Sequence, residues 1–130
     1  MTLYDSSVLI DYLDGRERTV EYIRSNYDER AVAPPLVLFE LYQGEVFKSG
    51  PTDLDAVDAA LEWLVVVDET REFARAAAEL QDATVADGTP LAARDAFVAG
   101  AASALDERLA VADDDFDADA VSELVDVEFV

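Results

Sequence analysis

Thr2-Leu3-Tyr4-Asp5-Ser6-Ser7-Val8-Leu9-Ile10 is the stretch that decides the fold, because an apolar run ends at an aspartate and passes through two serines into an apolar helix start. The run at residues 3–5 reads as a strand, and four similar runs follow it. These runs are residues 31–33, 64–67, 109–112 and 127–130. Longer segments with helical spacing separate them. Strands joined by helical crossovers favour a parallel sheet with helices on both faces, so the sequence predicts an α/β fold.

Apolar residues recur at helical intervals in the segments between the strands. Three such stripes are Val20, Ile23 and Tyr27; Leu54, Val57, Leu61 and Leu64; and Phe73, Ala77, Leu80 and Thr84. Thr52 and Thr70 are the expected N-caps of the second and third helices, and Gly88 signals the end of the third. The second helix is expected to form a hairpin with the helix before it. The segment 91–107 is rich in Ala and contains Gly100, which predicts a helix that approaches a neighbour closely.

Length and composition indicate one compact domain over residues 1–130, since 130 residues with 52% hydrophobic content can bury a single core. The chain has no Cys and no His, which excludes disulfides, thiolate nucleophiles, imidazole bases and the usual zinc ligands. The longest uncharged stretch, residues 96–105, is far shorter than the roughly 20 apolar residues of a membrane span. No signal-peptide pattern opens the chain, so we expect a cytoplasmic protein without a membrane anchor.

The net charge is −21, from 30 acidic residues against eight Arg and one Lys. Acidic residues are spread along the whole chain, and such a surface repels itself unless dense salt screens it. The composition therefore predicts a halophilic source, which we expect to be an archaeon. An acidic solvating tail or a basic partner are the alternatives. Long-range attraction to nucleic-acid phosphate should be absent, which leaves binding to short-range contacts and metal ions.

Two aspartates follow strands of the predicted sheet. Asp5 ends the first run, and Asp113 directly follows the run at residues 109–112. In open parallel sheets the ligand crevice lies beyond the carboxyl ends of the strands, so both carboxylates are expected near it. Asp5 also suits the role of a helix N-cap, although Ser6 or Ser7 could fill that role instead.

Glu40 and Asp95 are two further candidates. Glu40 lies within a largely apolar helix, where a lone charge would cost several kcal/mol without a partner, and an Arg or a metal ion are equally plausible partners. Asp95 lies near the start of the Ala-rich helix, where the helix dipole alone can account for it. Asp113 also belongs to a dense acidic run, residues 113–117, most of which we expect to be solvated.

Carboxylates gathered at one crevice raise each other's pKa values, a cost that a hard divalent cation removes. Oxygen-only ligation suits Mg²⁺ or Mn²⁺. Such ions activate water and bind phosphodiesters, so phosphodiester hydrolysis is the predicted reaction class.

Four fragments together resemble a PIN domain, and specifically the VapC-type toxin ribonucleases. The fragments are Asp5-Ser6-Ser7-Val8-Leu9-Ile10, Phe39-Glu40-Leu41, Arg94-Asp95-Ala96-Phe97-Val98-Ala99 and Asp113-Asp114-Asp115-Phe116. Their order and spacing match over essentially the entire chain. The resemblance implies a three-layer α/β/α sandwich around a parallel sheet, dependence on Mg²⁺ or Mn²⁺, and cleavage of RNA by a metal-activated water.

The resemblance also assigns roles to residues and partners. It implies that Asp5, Glu40, Asp95 and Asp113 are the catalytic, metal-holding acids, and that Ser7 accompanies the first of them. It further implies a homodimer and a cognate antitoxin protein that blocks the active site. Of the basic residues, Arg94 is the best candidate for a contact with RNA phosphate.

The chain departs from the family pattern at Val111, where a Thr or Ser usually precedes the fourth acid by two residues. Asp115 is therefore a candidate to share the role of Asp113 or replace it. The departure also keeps open a non-catalytic PIN-fold module that binds an antitoxin or scaffold protein. Receiver domains and haloacid-dehalogenase-like phosphatases fit poorly, because the only lysine, Lys48, is misplaced and Ser7 stands where a second Asp is required.

Overall fold

The computed structural model describes all residues from Met1 to Val130. Its strands are β1 (Thr2–Tyr4), β2 (Ala31–Ala33), β3 (Leu64–Val66), β4 (Arg108–Val111) and β5 (Val127–Phe129). Its helices are α1 (Ser6–Leu13), α2 (Glu17–Ser25), α3 (Pro35–Phe47), α4 (Leu54–Ala60), α5 (Arg71–Ala86), α6 (Ala93–Leu105) and α7 (Asp119–Leu124). None of these helices has the length and apolar character needed to cross a membrane.

The five strands form one parallel sheet in the order β3-β2-β1-β4-β5, which confirms the predicted α/β sandwich. The chain moves outward from β1 to β3 and then crosses back to β4. Right-handed crossovers therefore place α1 to α4 on one face and α5 to α7 on the other. The helix contacts agree, since α1 packs on α2 and α3 while α5 packs on α6 and α7. The order reverses between β1 and β4, and the predicted crevice lies at that point.

The first two helices with predicted apolar stripes begin or end at other residues than the sequence predicted. Tyr27 lies beyond the end of α2, is 56% exposed, and packs edge-on against Trp63 instead of covering the sheet. Asp53, not Thr52, caps α4, because its Oδ1 accepts a hydrogen bond from the backbone N–H of Ala56. The last member of that stripe, Leu64, belongs to β3.

The α5 stripe is confirmed, since Phe73, Ala77, Leu80 and Thr84 are all buried. Thr70 caps this helix through its side chain, as predicted. The stretch before α6 stays non-helical because Gln81 of α5 binds both the N–H and the carbonyl of Leu91. Helix α6 therefore begins at Ala93, two residues later than predicted.

Gly100 of α6 lies directly against Ala77 of α5. A Cβ built on Gly100 would lie 2.5 Å from both Cα and N of Ala77. The predicted close approach is therefore real, and it fixes the distance between the two helices. It matters for the site because α6 carries Arg94 and Asp95 in its first turn.

Candidate active site

Asp5 stands at the junction of β1 and α1, at the centre of the carboxyl edge of the sheet. It is 1% exposed, and its backbone N–H donates to Ala110 of β4. Its Oδ2 caps α1 by accepting from the backbone N–H of Ser7 at 3.2 Å and from Ser7 Oγ at 2.6 Å. Asp5, rather than either serine, is thus the helix cap. The cap occupies one carboxylate oxygen and leaves Oδ1 free for another partner.

Ser7 connects the two central strands at this edge. Its hydroxyl donates to Asp5 and accepts the backbone N–H of Ala112, just after β4, at 3.0 Å. The residue was expected to accompany Asp5, and the structure places it beside that carboxylate. The end of β4 is therefore held against the start of α1 without help from a hydroxyl at Val111, which is fully buried and apolar.

Asp95 and Glu40 approach Asp5 from opposite faces of the sheet. Asp95 lies in the first turn of α6 and is 7% exposed. Glu40 lies in the middle of α3. This helix begins at Pro35, and most of the residues around Glu40 in its sequence are apolar. Because α3 and α6 belong to different faces, their side chains meet only beyond the end of β1.

The guanidinium of Arg94 occupies the point where these carboxylates meet. Its Nη2 lies 2.7 Å from Asp5 Oδ1 and 2.7 Å from Glu40 Oε1, and its Nη1 lies 2.6 Å from Asp95 Oδ1. Its Nε lies 2.8 Å from Glu40 Oε2, and Nη2 also donates to Ser6 Oγ at 2.6 Å. One cation thus bonds to three acidic side chains from three elements, and all three of its nitrogen atoms are engaged.

Of the two partners considered for Glu40, the arginine is the one that the structure contains. The observed partner of its carboxylate is Arg94, and no other hydrogen bond reaches that side chain. The sequence contained a signal for this, since only nine basic residues face 30 acids and one of them adjoins Asp95. The contribution of Ser6 had no such signal, because a serine at the start of a helix suggests only a cap.

Asp113 and Asp115 lie next to this cluster without touching Arg94. Asp113 follows β4 at the same edge of the sheet, and its Oδ1 accepts the backbone N–H of Asp115. Burial raises the pKa of Asp113, and the nearby charges of Asp5, Asp115 and Asp95 add to that rise. Asp113, the predicted fourth acid, therefore lies close enough to the other carboxylates to interact with them electrostatically.

Burial dominates the electrostatics at the centre of the site. It raises the pKa of Asp95, although the hydrogen bond and charge of Arg94 act in the opposite direction. For Arg94 itself, burial works to lower the pKa, but the bonds to Glu40, Asp5 and Asp95 outweigh it and hold that pKa above its ordinary value. The guanidinium is therefore charged at any pH at which the protein folds.

The donor chemistry of the cluster fits a hard divalent cation, because Asp5, Glu40 and Asp95 offer only carboxylate oxygens. Their present spacing suits a guanidinium, since no group of three acidic residues lies close enough together to hold a metal ion as they stand. A metal ion would thus require these side chains to close around it in place of Arg94.

A groove of about 430 Å³ runs from Glu40 along α1, α3 and α4. Its lining is half apolar, and its other residues are acidic apart from Gly44 and Lys48, the latter paired with Glu45. The apolar members are Ile10, Leu13, Leu41, Ala56 and Val57. Ile10 and Leu13 remain 44% and 37% exposed, so this surface is open to a partner.

A family model described as PIN domain matches residues 2–121 of the chain. No curated protein matches the sequence at a significant level.

Several solved structures share the fold over nearly their whole length. FitAcB from Neisseria gonorrhoeae is 21% identical with a TM-score of 0.83, covering 100% of this chain and 97% of that chain. VapBC2 from Rickettsia felis, bound to a promoter DNA fragment, is 13% identical with a TM-score of 0.84, covering 99% and 98%. DNA-bound VapBC from Salmonella typhimurium is 19% identical with a TM-score of 0.82, covering 98% and 96%. At these identities the likeness establishes the fold.

Proposed function

Because the chain belongs to the PIN domain family, we propose that it is a metal-dependent endoribonuclease and the toxin of a toxin–antitoxin pair. The observation that carries the proposal is the convergence of Asp5, Glu40 and Asp95 on one point. They come from three separate elements at the carboxyl edge of the sheet. Arg94 neutralises only one of the three negative charges, and the excess opposes folding, which favours a functional role for the cluster.

PIN-domain nucleases generally use divalent metal ions, and we propose that Asp5, Glu40 and Asp95 hold Mg²⁺ or Mn²⁺ in this chain. Asp113 is the proposed fourth acid, with Asp115 able to share its role. When bound, such an ion supplies Lewis acidity toward a phosphodiester and makes water a stronger nucleophile. Ser7 orients Asp5, because its two bonds to Oδ2 turn Oδ1 toward the centre of the cluster.

RNA is the proposed substrate despite the net charge of −21. Long-range attraction to phosphate is absent, so contacts within the site have to provide the binding energy. Arg94 remains the proposed phosphate contact. Its nitrogens are all bonded to protein oxygens in this structure, and contact with a phosphate therefore requires the side chain to leave its carboxylate partners.

The groove beside Glu40 supports an antitoxin as the protein partner. Its apolar lining and acidic neighbours Asp14 and Glu45 suit a segment that carries both apolar and basic side chains. Such a segment would end at Glu40 and could block the site. A homodimer is also proposed, and α3 offers exposed apolar surface for it at Phe39 and Phe47, which are 58% and 77% exposed.

The composition supports two further parts of the proposal. We propose a halophilic archaeal source, because acidic residues outnumber basic ones by 30 to nine and are spread over the chain. A cytoplasm rich in salt would screen this charge, which makes a cytoplasmic location part of the same proposal.

A non-catalytic binding module is the second candidate function, and the position of Arg94 favours it. A site closed permanently by a guanidinium would keep the fold and the partner groove but would bind no metal ion. Val111, in place of the usual hydroxyl residue, points in the same direction.

RNA cleavage by the purified protein in high-salt buffer separates the two functions. Total cellular RNA is incubated with Mn²⁺ or with a chelator, using the wild type, Asp5→Asn, Asp95→Asn and the exposed control Asp28→Asn. We expect cleavage only with Mn²⁺, its loss in both site variants, and no change in the control. Equal cleavage by all variants contradicts the proposed nuclease.

Expression in cells provides the second readout. We expect growth arrest, relieved when the neighbouring gene is co-expressed. Absence of both arrest and metal-dependent cleavage would leave the binding module as the better description.

A further inference from the structure

Arg94 places its charged group inside the carboxylate cluster and not in solvent. It lies in the first turn of α6, next to the buried Asp95, and its side chain is 27% exposed and enters the centre of the cluster. Charged side chains are taken out of water only where partners compensate them, and here three carboxylates do so. The guanidinium is therefore a structural part of the metal-free site.

Arg94 neutralises only part of the negative charge of the cluster. Arg94 contributes one positive charge against the three carboxylates it contacts, and Asp113 and Asp115 add further negative charge nearby. The site thus keeps a net negative charge with Arg94 in place. A divalent cation in the same space would neutralise more of this charge than the guanidinium does.

Arg94 and a metal ion would compete for the same oxygens. Asp5 Oδ1, both oxygens of Glu40 and Asp95 Oδ1 all bond to the guanidinium. Asp5 Oδ2 is already bonded to Ser7. Few unengaged oxygens remain at the centre while Arg94 is present, so the two cations exclude each other there.

Arg94 can leave without disturbing the fold around Asp95. The close packing of Gly100 on Ala77 fixes the backbone of α6, and Asp95 is buried on the inner face of the helix. The side chain of Arg94 is 27% exposed, which gives it a path to solvent.

We propose that Arg94 is an internal counter-ion that holds the metal-free carboxylate cluster together and is exchanged for a divalent cation when the site is loaded. This inference rests on the proposed function, since it concerns the same site. It assigns Arg94 a regulatory role, because the guanidinium raises the metal concentration needed to activate the protein. Each loaded site would then also have a freed guanidinium at its rim.

Mn²⁺ binding measured by calorimetry tests the exchange. In Arg94→Gln the competitor is absent, and we expect Mn²⁺ to bind roughly tenfold more tightly, since binding no longer has to break charge-assisted hydrogen bonds. Arg75→Gln is the matched control, because it removes a positive charge from an exposed i,i+4 pair with Glu79. It should change the affinity by less than about twofold, as expected for a screened surface charge.

Removal of the guanidinium leaves three carboxylates without this partner and opposes folding, so a second measurement is made on the wild type. The Nε–H signal of Arg94 is followed by NMR during a titration with diamagnetic Mg²⁺. We expect a slowly exchanging proton in chelator, and loss of its protection in proportion to Mg²⁺ binding.

Three results would overturn the exchange. They are weaker or unchanged Mn²⁺ binding in Arg94→Gln, an equal gain in Arg75→Gln, and an Nε–H that stays protected at saturating Mg²⁺. If the proposed nuclease function is wrong, the result is a different one, because RNA then remains intact even when Arg94 is exchanged for the metal ion. If no divalent cation binds to either the wild type or Arg94→Gln, there is no exchange and the inference is wrong.

Discussion

Ser7 holds Asp5 through two donors at once, its backbone N–H at 3.2 Å and its hydroxyl at 2.6 Å from the same Oδ2. Asp5 therefore has two separate duties. One oxygen caps α1, and the other faces Arg94. The two duties can be separated by substitution, since an N-cap needs an acceptor oxygen and a cation site needs a charge.

Asp5→Asn should preserve folding and abolish function. Asn is as good an N-cap as Asp, so α1 should still form, but the single amide oxygen cannot accept from both Ser7 and Arg94, and we expect the unfolding free energy to fall by about 1–3 kcal/mol. Metal binding and RNA cleavage should fall by roughly 100-fold or more, because one carboxylate charge is lost from the centre of the site. Asp53→Ala removes the cap of α4 far from the site, and should lower stability by about 1 kcal/mol with cleavage intact. Activity retained in Asp5→Asn would contradict the assignment.

Ser7→Ala should weaken the connection between α1 and β4. The substitution removes a bond to Asp5 and leaves the backbone N–H of Ala112 without its partner. We expect a loss of about 1–3 kcal/mol in urea unfolding, the usual cost of an unsatisfied buried donor. Ser25→Ala is the control, since its hydroxyl bonds only to a carbonyl on exposed α2, and it should stay within about 0.5 kcal/mol. Similar losses in both variants would show that Ser7 has no special role.

Gly100→Ala should destabilise the protein although Ala is the better helix former. The new Cβ would lie 2.5 Å from backbone atoms of Ala77, so α5 and α6 would have to separate. Such overpacking costs about 1–3 kcal/mol. Gly44→Ala in α3 is the matched control, because nothing lies within 4 Å of its added Cβ, and it should gain about 0.5–1 kcal/mol. Thermal unfolding of both variants checks the opposite signs.

Stability should fall at alkaline pH because of Tyr22. Burial, followed by the hydrogen bond to Glu128, raises the pKa of Tyr22 from 10.0 to about 12. A raised pKa in the folded state means that the stabilisation is complete below pH 10.0 and is lost as the pH rises through about 12. Tyr22→Phe should therefore lose less stability over this interval than the wild type. Urea midpoints measured across it provide the check, and identical pH profiles would contradict the assignment.

Salt should stabilise the protein if its surface is adapted to a halophilic cytoplasm. With a net charge of −21, the folded state repels itself, and KCl screens that repulsion. We expect the melting temperature to rise steeply with KCl. A triple variant, Asp28→Asn, Glu62→Gln and Asp82→Asn, neutralises exposed carboxylates without salt bridges and should depend less on KCl. A melting temperature that is independent of salt would argue against halophily.

The sequence predicted the sheet well, because short apolar runs between helical segments leave few alternatives. Residues 31–33 match β2 at both ends, and the other strands are displaced by at most one residue. The ends of the helices were harder to predict. Whether Thr52 or Asp53 caps α4 depends on one residue of loop geometry, and the delayed start of α6 depends on a tertiary bond from Gln81.

The sequence predicted acids that the structure brings to one edge of the sheet, but it did not predict how they are arranged there. Strand ends identify Asp5 and Asp113, and an apolar helix makes Glu40 conspicuous. The central position of Arg94 could not be deduced, because it depends on three elements meeting in space and on which of several basic residues fits between them.

Asp5 both caps α1 and contributes a carboxylate to the cluster, and this has an evolutionary consequence. In a lineage that no longer needed the nuclease, Asp5 would persist because α1 still needs its cap. The carboxylate of Glu40 bonds only to Arg94, so Glu40 would be free to change. We expect substitutions at Glu40 and Arg94 to occur together. Among descendants of this fold, retention of the first aspartate is thus a poor marker of activity, and retention of the glutamate is the informative one.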